Sequence, residues 1–178
     1  MMLAPRVRVP LLVIALVAGV LAWAWPAELP PWRSIGLVSG WAGTALIVAS
    51  TALIVREARL ARHLGGIEAM LRGHHVSGTL GYALLLLHPL ALAVDEALQV
   101  GGSGWAVLDP RGQGSAVQLG WLGLLLLMAG LGSTFSLHLR WRRWRAWHHL
   151  LGAGVVLGLV HVERLLGDPG LLWLLAAG

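Results

Sequence analysis

Apolar residues run along this chain in long uninterrupted segments separated by short polar connections. A helix that crosses a bilayer needs about 20 such residues, with a range of about 17 to 25. Five segments reach this length, whereas a sixth, at residues 171–177, has about a third of it. The pattern therefore predicts an all-α integral membrane protein, a helical bundle of five full spans plus the start of a sixth. The predicted full spans are residues 9–25, 35–55, 75–94, 116–139 and 147–166.

Composition agrees with a membrane location and limits the cofactors. Hydrophobic residues make up 57% of the chain and charged residues only 12%, whereas soluble domains carry about 25% charged residues. The chain has no cysteine. This excludes disulfides, iron–sulfur clusters and covalently attached c-type haem, because all three need thiols. Residues 1–178 are therefore predicted to form one transmembrane domain.

The arginines predict how the spans are oriented. Most precede the first span or lie in the second and fourth connections, whereas most acidic residues lie on the opposite side. Because basic residues accumulate in cytoplasmic loops, we expect the N-terminus and these loops in the cytoplasm, in a bacterial inner or plasma membrane. The net charge of +5 then reflects topology beside the lipid bilayer, with no nucleic-acid partner. The cytoplasmic set is Arg6, Arg8, Arg56, Arg59, Arg62, Arg72, Arg140, Arg142, Arg143 and Arg145.

The first apolar segment has a second interpretation. It combines a basic start, a twelve-residue apolar core and an Ala22-Trp23-Ala24 triplet that is similar to a signal-peptide cleavage site. Bulky tryptophans are more typical of the aromatic belt at a membrane surface, so a retained span is the preferred interpretation. Both interpretations leave the later spans in the same orientation.

Two blocks of histidine suggest the chemistry. "HHVSGTLGYALLLLHP" contains His74, His75 and His88, and "HHLLGAGVVLGLVH" contains His148, His149 and His161. Each block starts just after arginines, has a glycine four residues beyond its first histidine, and ends in a histidine deep within a span. A polar ring in a span is costly and usually functional. The alternative is that these histidines are hydrogen-bonded packing residues. Their occurrence in two blocks with the same arrangement favours a role as ligands.

The spacing within the blocks places the imidazoles at two levels. His74 and His88 are fourteen residues apart, about 21 Å along a helix and about 40° from the same face. His148 and His161 are thirteen apart, about 19.5 Å, and their rings point about 140° apart on an ideal helix. We therefore expect the fifth span to bulge near Gly152 or Gly154.

Paired imidazoles at two levels predict two stacked b-type haems, each held by one histidine from each helix. A zinc site would need four ligands at one centre. Bis-histidine ligation fills both axial positions of haem iron, which favours electron transfer over binding a substrate at the metal. A metal-ion or proton transporter is the alternative outside redox chemistry. Such pathways usually need carboxylates within the membrane, and the central parts of these spans contain none.

The same blocks resemble the ferric reductase-like transmembrane domain, the family of ferric-chelate reductases, NADPH oxidases and the haem subunit of periplasmic methionine sulfoxide reductase. "RGHHVSGTLGYALLLLHP" and "WHHLLGAGVVLGLVH" carry the resemblance, which extends from about residue 35 to the C-terminus. It implies a transmembrane cytochrome b with two haem b groups. His75 and His149 remain the alternative inner ligands. The ligands that it implies are His74, His88, His148 and His161.

The resemblance also implies the partners. Members commonly continue into a cytoplasmic domain that binds FAD and NAD(P)H, so we expect these on a partner flavoprotein or a further domain. Ferric-chelate reduction at the outer face is the preferred activity. Electron transfer to a periplasmic partner or quinone is an alternative, as is superoxide production. NADPH oxidases carry a second histidine where Leu92 stands, which disfavours superoxide production.

Two arginines are candidate cofactor-binding residues. Arg72 and Arg145 lie within three residues of the inner histidines, within reach of haem propionates. A guanidinium group pairs readily with a carboxylate through two parallel hydrogen bonds. The alternative is that they only set topology and contact lipid headgroups.

Overall fold

The computed structural model describes residues 29–55, 57–99, 101–135 and 140–167, together with positions 15 and 19. These residues form helices and connecting turns without any strand, which confirms the all-α prediction for them. The rest of the predicted span 9–25 and the segment 171–177 lie outside the described residues. The helices are α1 (Pro31–Ile54), α2 (Ala58–Leu64), α3 (Ile67–Gln99), α4 (Trp105–Leu108), α5 (Ser115–Phe135) and α6 (Trp141–Leu166), with a 3-10 turn at Pro110–Gly112.

Four of these helices, α1, α3, α5 and α6, are long and apolar enough to cross a membrane. They coincide with four of the predicted segments, and the chain is an integral membrane protein. The longest, α3, has 33 residues and so extends about 50 Å, well beyond a hydrocarbon core of about 30 Å. It exceeds the predicted span because good helix formers continue the helix into the polar regions at both ends.

Local sequence explains where several helices begin and end. Pro31 occupies the first helical position of α1, where a missing N–H costs nothing. The Glu57 carboxylate accepts a hydrogen bond from the Leu60 N–H at 2.7 Å and caps α2. Helices α2 and α6 end at Gly65 (φ 95°) and Gly167 (φ 70°), left-handed positions that glycine adopts without steric cost.

The chain divides into two compact units between Gly104 and Trp105. In the first unit α1 and α3 pack as an antiparallel pair. Gly43 and Gly81 face each other so closely that a Cβ on either would lie 3.0 Å from the carbonyl oxygen of the other. Helices without side chains at the contact can approach to backbone distance, which is how membrane helices associate in the absence of a hydrophobic driving force.

The second unit repeats this arrangement with α5 and α6. A Cβ at Gly123 would lie 3.0 Å from the Gly154 carbonyl oxygen, and one at Gly154 would lie 2.9 Å from the Gly123 carbonyl oxygen. The prediction of a bulge in the fifth span is wrong, because α6 is a continuous α-helix through Gly152 and Gly154. Close backbone packing at Gly154 accompanies this regular helix. The thirteen-residue spacing therefore keeps its angular offset of about 140°.

Candidate functional site

The outer histidine of α3 is fixed by a carbonyl of the neighbouring helix. His88 is half-buried, and its Nδ1 donates to the Gly36 carbonyl oxygen of α1 at 2.7 Å. A carbonyl oxygen can only accept, so the ring proton is on Nδ1 and the lone pair is on Nε2. Histidines that bind metals usually have their other nitrogen held in this way, which fixes the tautomer and raises the basicity of the ligating nitrogen.

The outer histidine of α6 has the same environment in the second unit. His161 is half-buried, and its Nδ1 donates to the Ala116 carbonyl oxygen of α5 at 2.8 Å. The lone pair is again on Nε2. Two histidines on different helices are thus prepared in one tautomer by the same kind of contact.

The inner histidine of α3 is clamped by a serine. His74 Nδ1 lies 3.0 Å from the Ser50 carbonyl oxygen and 2.9 Å from Ser50 Oγ. The hydroxyl donates in return to the His74 carbonyl oxygen at 2.9 Å. Ser50 is buried in α1, so this reciprocal contact links the two helices and again places the imidazole proton on Nδ1.

The inner histidine of α6 is held by aromatic stacking. The half-buried His148 ring stacks on Trp144 with centroids 4.7 Å apart and planes 22° apart. Trp144 stacks in turn on Trp141 at 4.8 Å, and its indole N–H donates to Thr134 Oγ1 of α5 at 3.2 Å. The result is a column of three rings that extends from the exposed Trp141 to His148.

The alternative inner ligands have more open surroundings. His75 and His149 are both exposed within their units. The His75 ring lies 5.5 Å from that of His74 with the planes tilted by 53°. Of the neighbours at positions 74 and 75, the side chain at 74 is the one anchored to α1.

The two candidate arginines lie at the helix surface. Arg72 pairs with Glu68 one turn earlier in α3 at 3.0 Å, and both side chains are exposed. Exposed pairs of this kind stabilise a helix by only about 0.3–0.5 kcal/mol. Another anion could therefore replace Glu68 at a small cost in free energy. Arg145 is exposed near the start of α6.

Two buried carboxylates were not recognised as site residues from the sequence. Asp95 in α3 and Glu163 in α6 are only 6% and 5% exposed. Within the described part of the chain, Asp95 Oδ1 and Glu163 Oε2 have no hydrogen-bond partner. The seven-residue spacing from His88 to Asp95, which returns to nearly the same helix face, was the available signal.

The donor set fits haem better than a metal ion held by clustered side chains. Among the described residues, no three His, Cys, Asp or Glu side chains come together around one point. Instead, the rings of His74, His88 and His161 are each held by a carbonyl of their own unit. Imidazoles supplied one from each helix would fit the iron of a haem.

The fold and the site define an integral membrane protein with histidines in its membrane-spanning helices, three of which are hydrogen-bonded to a carbonyl of a neighbouring helix. A sequence model of the ferric reductase like transmembrane component matches residues 39–159, more than half of the chain, and the chain belongs to this family. The family is related to oxidoreductases, acts in transmembrane electron transfer and typically binds haem. The match includes His74, His88 and His148 and ends two residues before His161. No curated protein and no solved structure matches.

Proposed function

We propose that this chain is the haem domain of a ferric reductase-type enzyme. It carries electrons from a cytoplasmic flavin and NAD(P)H donor to an acceptor at the outer face. His74 and His148 would hold the inner haem b, and His88 and His161 the outer one. Because α6 is a regular helix, this assignment requires His148 and His161 to approach their haems from helix faces about 140° apart. The observation that carries this assignment is the donation from Nδ1 of His88 and His161 to a neighbouring-helix carbonyl.

The bound haems supply one-electron carriers, and the residues of this chain set their properties. The Gly36, Ala116 and Ser50 carbonyl oxygens make Nε2 of their histidine partners more electron-donating. This would lower the reduction potential of a haem that these histidines hold. With one histidine from each helix holding each haem, the bound groups would supply electron transfer and not substrate binding at the metal.

The cytoplasmic side suits a phosphate-bearing donor. Arg140, Arg142, Arg143 and Arg145 surround the start of α6, and all four are exposed. A cluster of positive charge attracts anionic cofactors such as FAD and NADPH and speeds the approach of the protein that carries them. The donor would be a flavin domain or a separate flavoprotein docked at this end.

Arg72 and Arg145 complete the proposed inner site by binding haem propionates. Arg72, which pairs with Glu68 at the surface, would release this glutamate and bind a propionate instead. The test is potentiometry of Arg72→Gln and Arg145→Gln, with Arg62→Gln of α2 as the control. We expect the inner-haem potential to fall in the first two proteins, because each loses a positive charge that stabilises the reduced haem. An unchanged inner potential would leave these arginines with topology and lipid contact alone.

The proposed acceptor is a ferric chelate. Leu92 stands where NADPH oxidases have a second histidine, and its side chain packs against α1, with Cδ2 2.7 Å from where a Gly36 Cβ would be. This apolar contact beside His88 offers oxygen no polar partner. A periplasmic protein or quinone remains the second candidate acceptor.

Haem binding is tested by the spectrum of the purified, dithionite-reduced protein. We expect low-spin b-type bands and about two haems per chain. His74→Ala and His148→Ala should each remove the inner haem, and His88→Ala and His161→Ala the outer one. His75→Ala and His149→Ala are the matched controls. A wild-type protein without haem bands would refute the assignment, and a control that loses haem while its neighbour's variant keeps both would reassign that ligand.

The acceptor is tested separately in sealed vesicles. Reduced flavin is supplied at the cytoplasmic face, and external ferrous iron and superoxide are followed in parallel with a superoxide scavenger as control. We expect ferric chelate to be reduced at a rate that the scavenger does not change, and His88→Ala vesicles to be inactive. Fast superoxide formation without direct iron reduction would indicate an oxidase instead.

A further inference from the structure

The two helix pairs share one pattern of positions around their outer histidines. In each pair, the first helix has a carbonyl that accepts from the histidine, a glycine four residues later, and a second glycine three residues after that. The second helix has a glycine seven residues before the histidine. The first unit has Gly36, Gly40, Gly43, Gly81 and His88, and the second has Ala116, Gly120, Gly123, Gly154 and His161.

The middle glycine of each pattern lies directly against the imidazole ring. A Cβ at Gly40 would lie 2.8 Å from His88 Nδ1 and 3.1 Å from its Cε1. A Cβ at Gly120 would lie 2.8 Å from His161 Nδ1 and 2.9 Å from its Cε1. These separations are shorter than carbon and nitrogen atoms tolerate, so any other residue at either position would displace the ring.

Helix geometry explains why a glycine is found at this position. In an α-helix the carbonyl of residue 36 already accepts from the N–H of residue 40, and the imidazole and the Ser39 hydroxyl share its second lone pair. A Cβ tilts toward the helix N-terminus, so a side chain at position 40 would cover the carbonyl of position 36. The absence of a side chain there opens that lone pair to His88. The same holds for Gly120, Ala116 and His161.

We propose that Gly40 and Gly120 are positioning residues for the two outer-haem ligands. They admit the Nδ1–H of His88 and His161 to the carbonyls of Gly36 and Ala116, and thereby set the ring orientation and tautomer of both. This rests on the proposed function for the identity of the bound group, but the contacts themselves exist without it.

The pattern does not continue to the inner histidines. Seven residues before Gly81 is His74, but seven residues before Gly154 is Trp147, and His148 lies one residue further along α6. The inner histidines are accordingly held by different means, a serine clamp and an indole stack. The effect of the glycines is therefore specific to the outer haem.

Matched glycine variants test this in the full-length protein. Gly40→Ala and Gly120→Ala add one methyl group against an imidazole. Gly43→Ala and Gly123→Ala add a methyl group to the same two helices at similarly tight sites that do not contact an imidazole. The methyl group at position 43 would meet Leu85 and the Gly81 carbonyl, and the one at position 123 would meet the Gly154 backbone. Gly152→Ala adds one where nothing lies within 4 Å. The measurements are haem content, the redox potential of each haem, and the low-spin electron paramagnetic resonance signals.

We expect Gly40→Ala and Gly120→Ala to lose the outer haem, from about two haems per chain to about one, or to change its resonance signal and potential alone. Gly43→Ala and Gly123→Ala should lower the melting temperature but keep both haem signals. Gly152→Ala should keep both haem signals without lowering the melting temperature. Unaltered outer-haem signals in the first two variants would overturn the inference. Equal loss of the outer haem in all four tight variants would also overturn it, since general packing would then suffice.

A second measurement applies if Gly40→Ala accumulates poorly. The melting temperature is compared for Gly40→Ala made in the wild-type and in the His88→Ala protein. The added methyl group should cost less when the imidazole is absent, because its close neighbour has been removed. An equal cost in both backgrounds would refute the positioning role. Absence of haem from the wild-type protein would instead refute the proposed function, so the two failures are distinct.

Discussion

The Ser50 clamp allows a quantitative prediction for the inner haem. Ser50→Ala removes the hydroxyl contacts to His74 Nδ1 and to the His74 carbonyl oxygen, both 2.9 Å long. The Ser50 carbonyl still accepts from Nδ1 at 3.0 Å, and the His74 carbonyl keeps its place in the α3 helix. No buried group loses its last partner. The cost is therefore that of a typical hydrogen bond, about 0.5–1.5 kcal/mol of folding free energy.

The same magnitude limits the shift in redox potential. If all of the lost interaction favoured the oxidised haem, 0.5–1.5 kcal/mol would correspond to about 20–60 mV for a one-electron couple. The expected direction is upward, because a less firmly held Nδ1–H makes Nε2 a weaker donor to iron. The outer haem should not respond, since its ligands are held by Gly36 and Ala116.

Spectroelectrochemical titration resolves the two haems as separate one-electron components. The component that His74→Ala eliminates identifies the inner haem. Ser39→Ala is the matched control, because Ser39 is an equally buried serine of α1 whose hydroxyl donates to the Gly36 carbonyl at 2.9 Å. Its removal should lower the outer potential by freeing that carbonyl for His88. A Ser50→Ala protein in which only the other component moves would refute the Ser50 contact as a determinant of the potential of the haem that His74 holds.

Three further outcomes follow from particular contacts. Trp144→Leu should weaken binding of the inner haem, because the 4.7 Å stack on His148 is lost. Such a stack contributes about 0.5–1.5 kcal/mol, and the loss is measured as haem retention during thermal melting. Arg111→Gln should raise the pKa of Asp109, which hydrogen bonds from the Arg111 side chain and backbone N–H lower to about 2. This contact favours the folded loop above the ordinary carboxyl pKa and is lost as the pH falls toward 2. An NMR titration that finds no rise would contradict it. Gly154→Ala should lower unfolding free energy by about 1–3 kcal/mol through overpacking, whereas a stability equal to that of Gly152→Ala would contradict the close helix contact.

The sequence by itself determined the class of protein and the candidate ligands. Membrane insertion depends on the length and polarity of each segment alone, so the helices α1, α3, α5 and α6 could be read from the apolar runs. Spacing within one helix is equally local, which is why His74 and His88 could be assigned to two levels of α3. The buried state of Asp95 and the regular course of α6 were not predicted, because both depend on what packs beside them.

The tertiary structure decided which nitrogen His74, His88 and His161 present and why particular glycines are needed. The carbonyl that fixes His88 is 52 residues away in the chain, that of His161 is 45 away, and that of His74 is 24 away. No periodicity within a segment relates such positions, because they meet only when two helices pack. In the sequence nothing distinguishes Gly40 and Gly120 from other small residues of a span, because the imidazoles that they contact belong to another helix. A partner on another helix is a property of packing geometry, which a single sequence does not display.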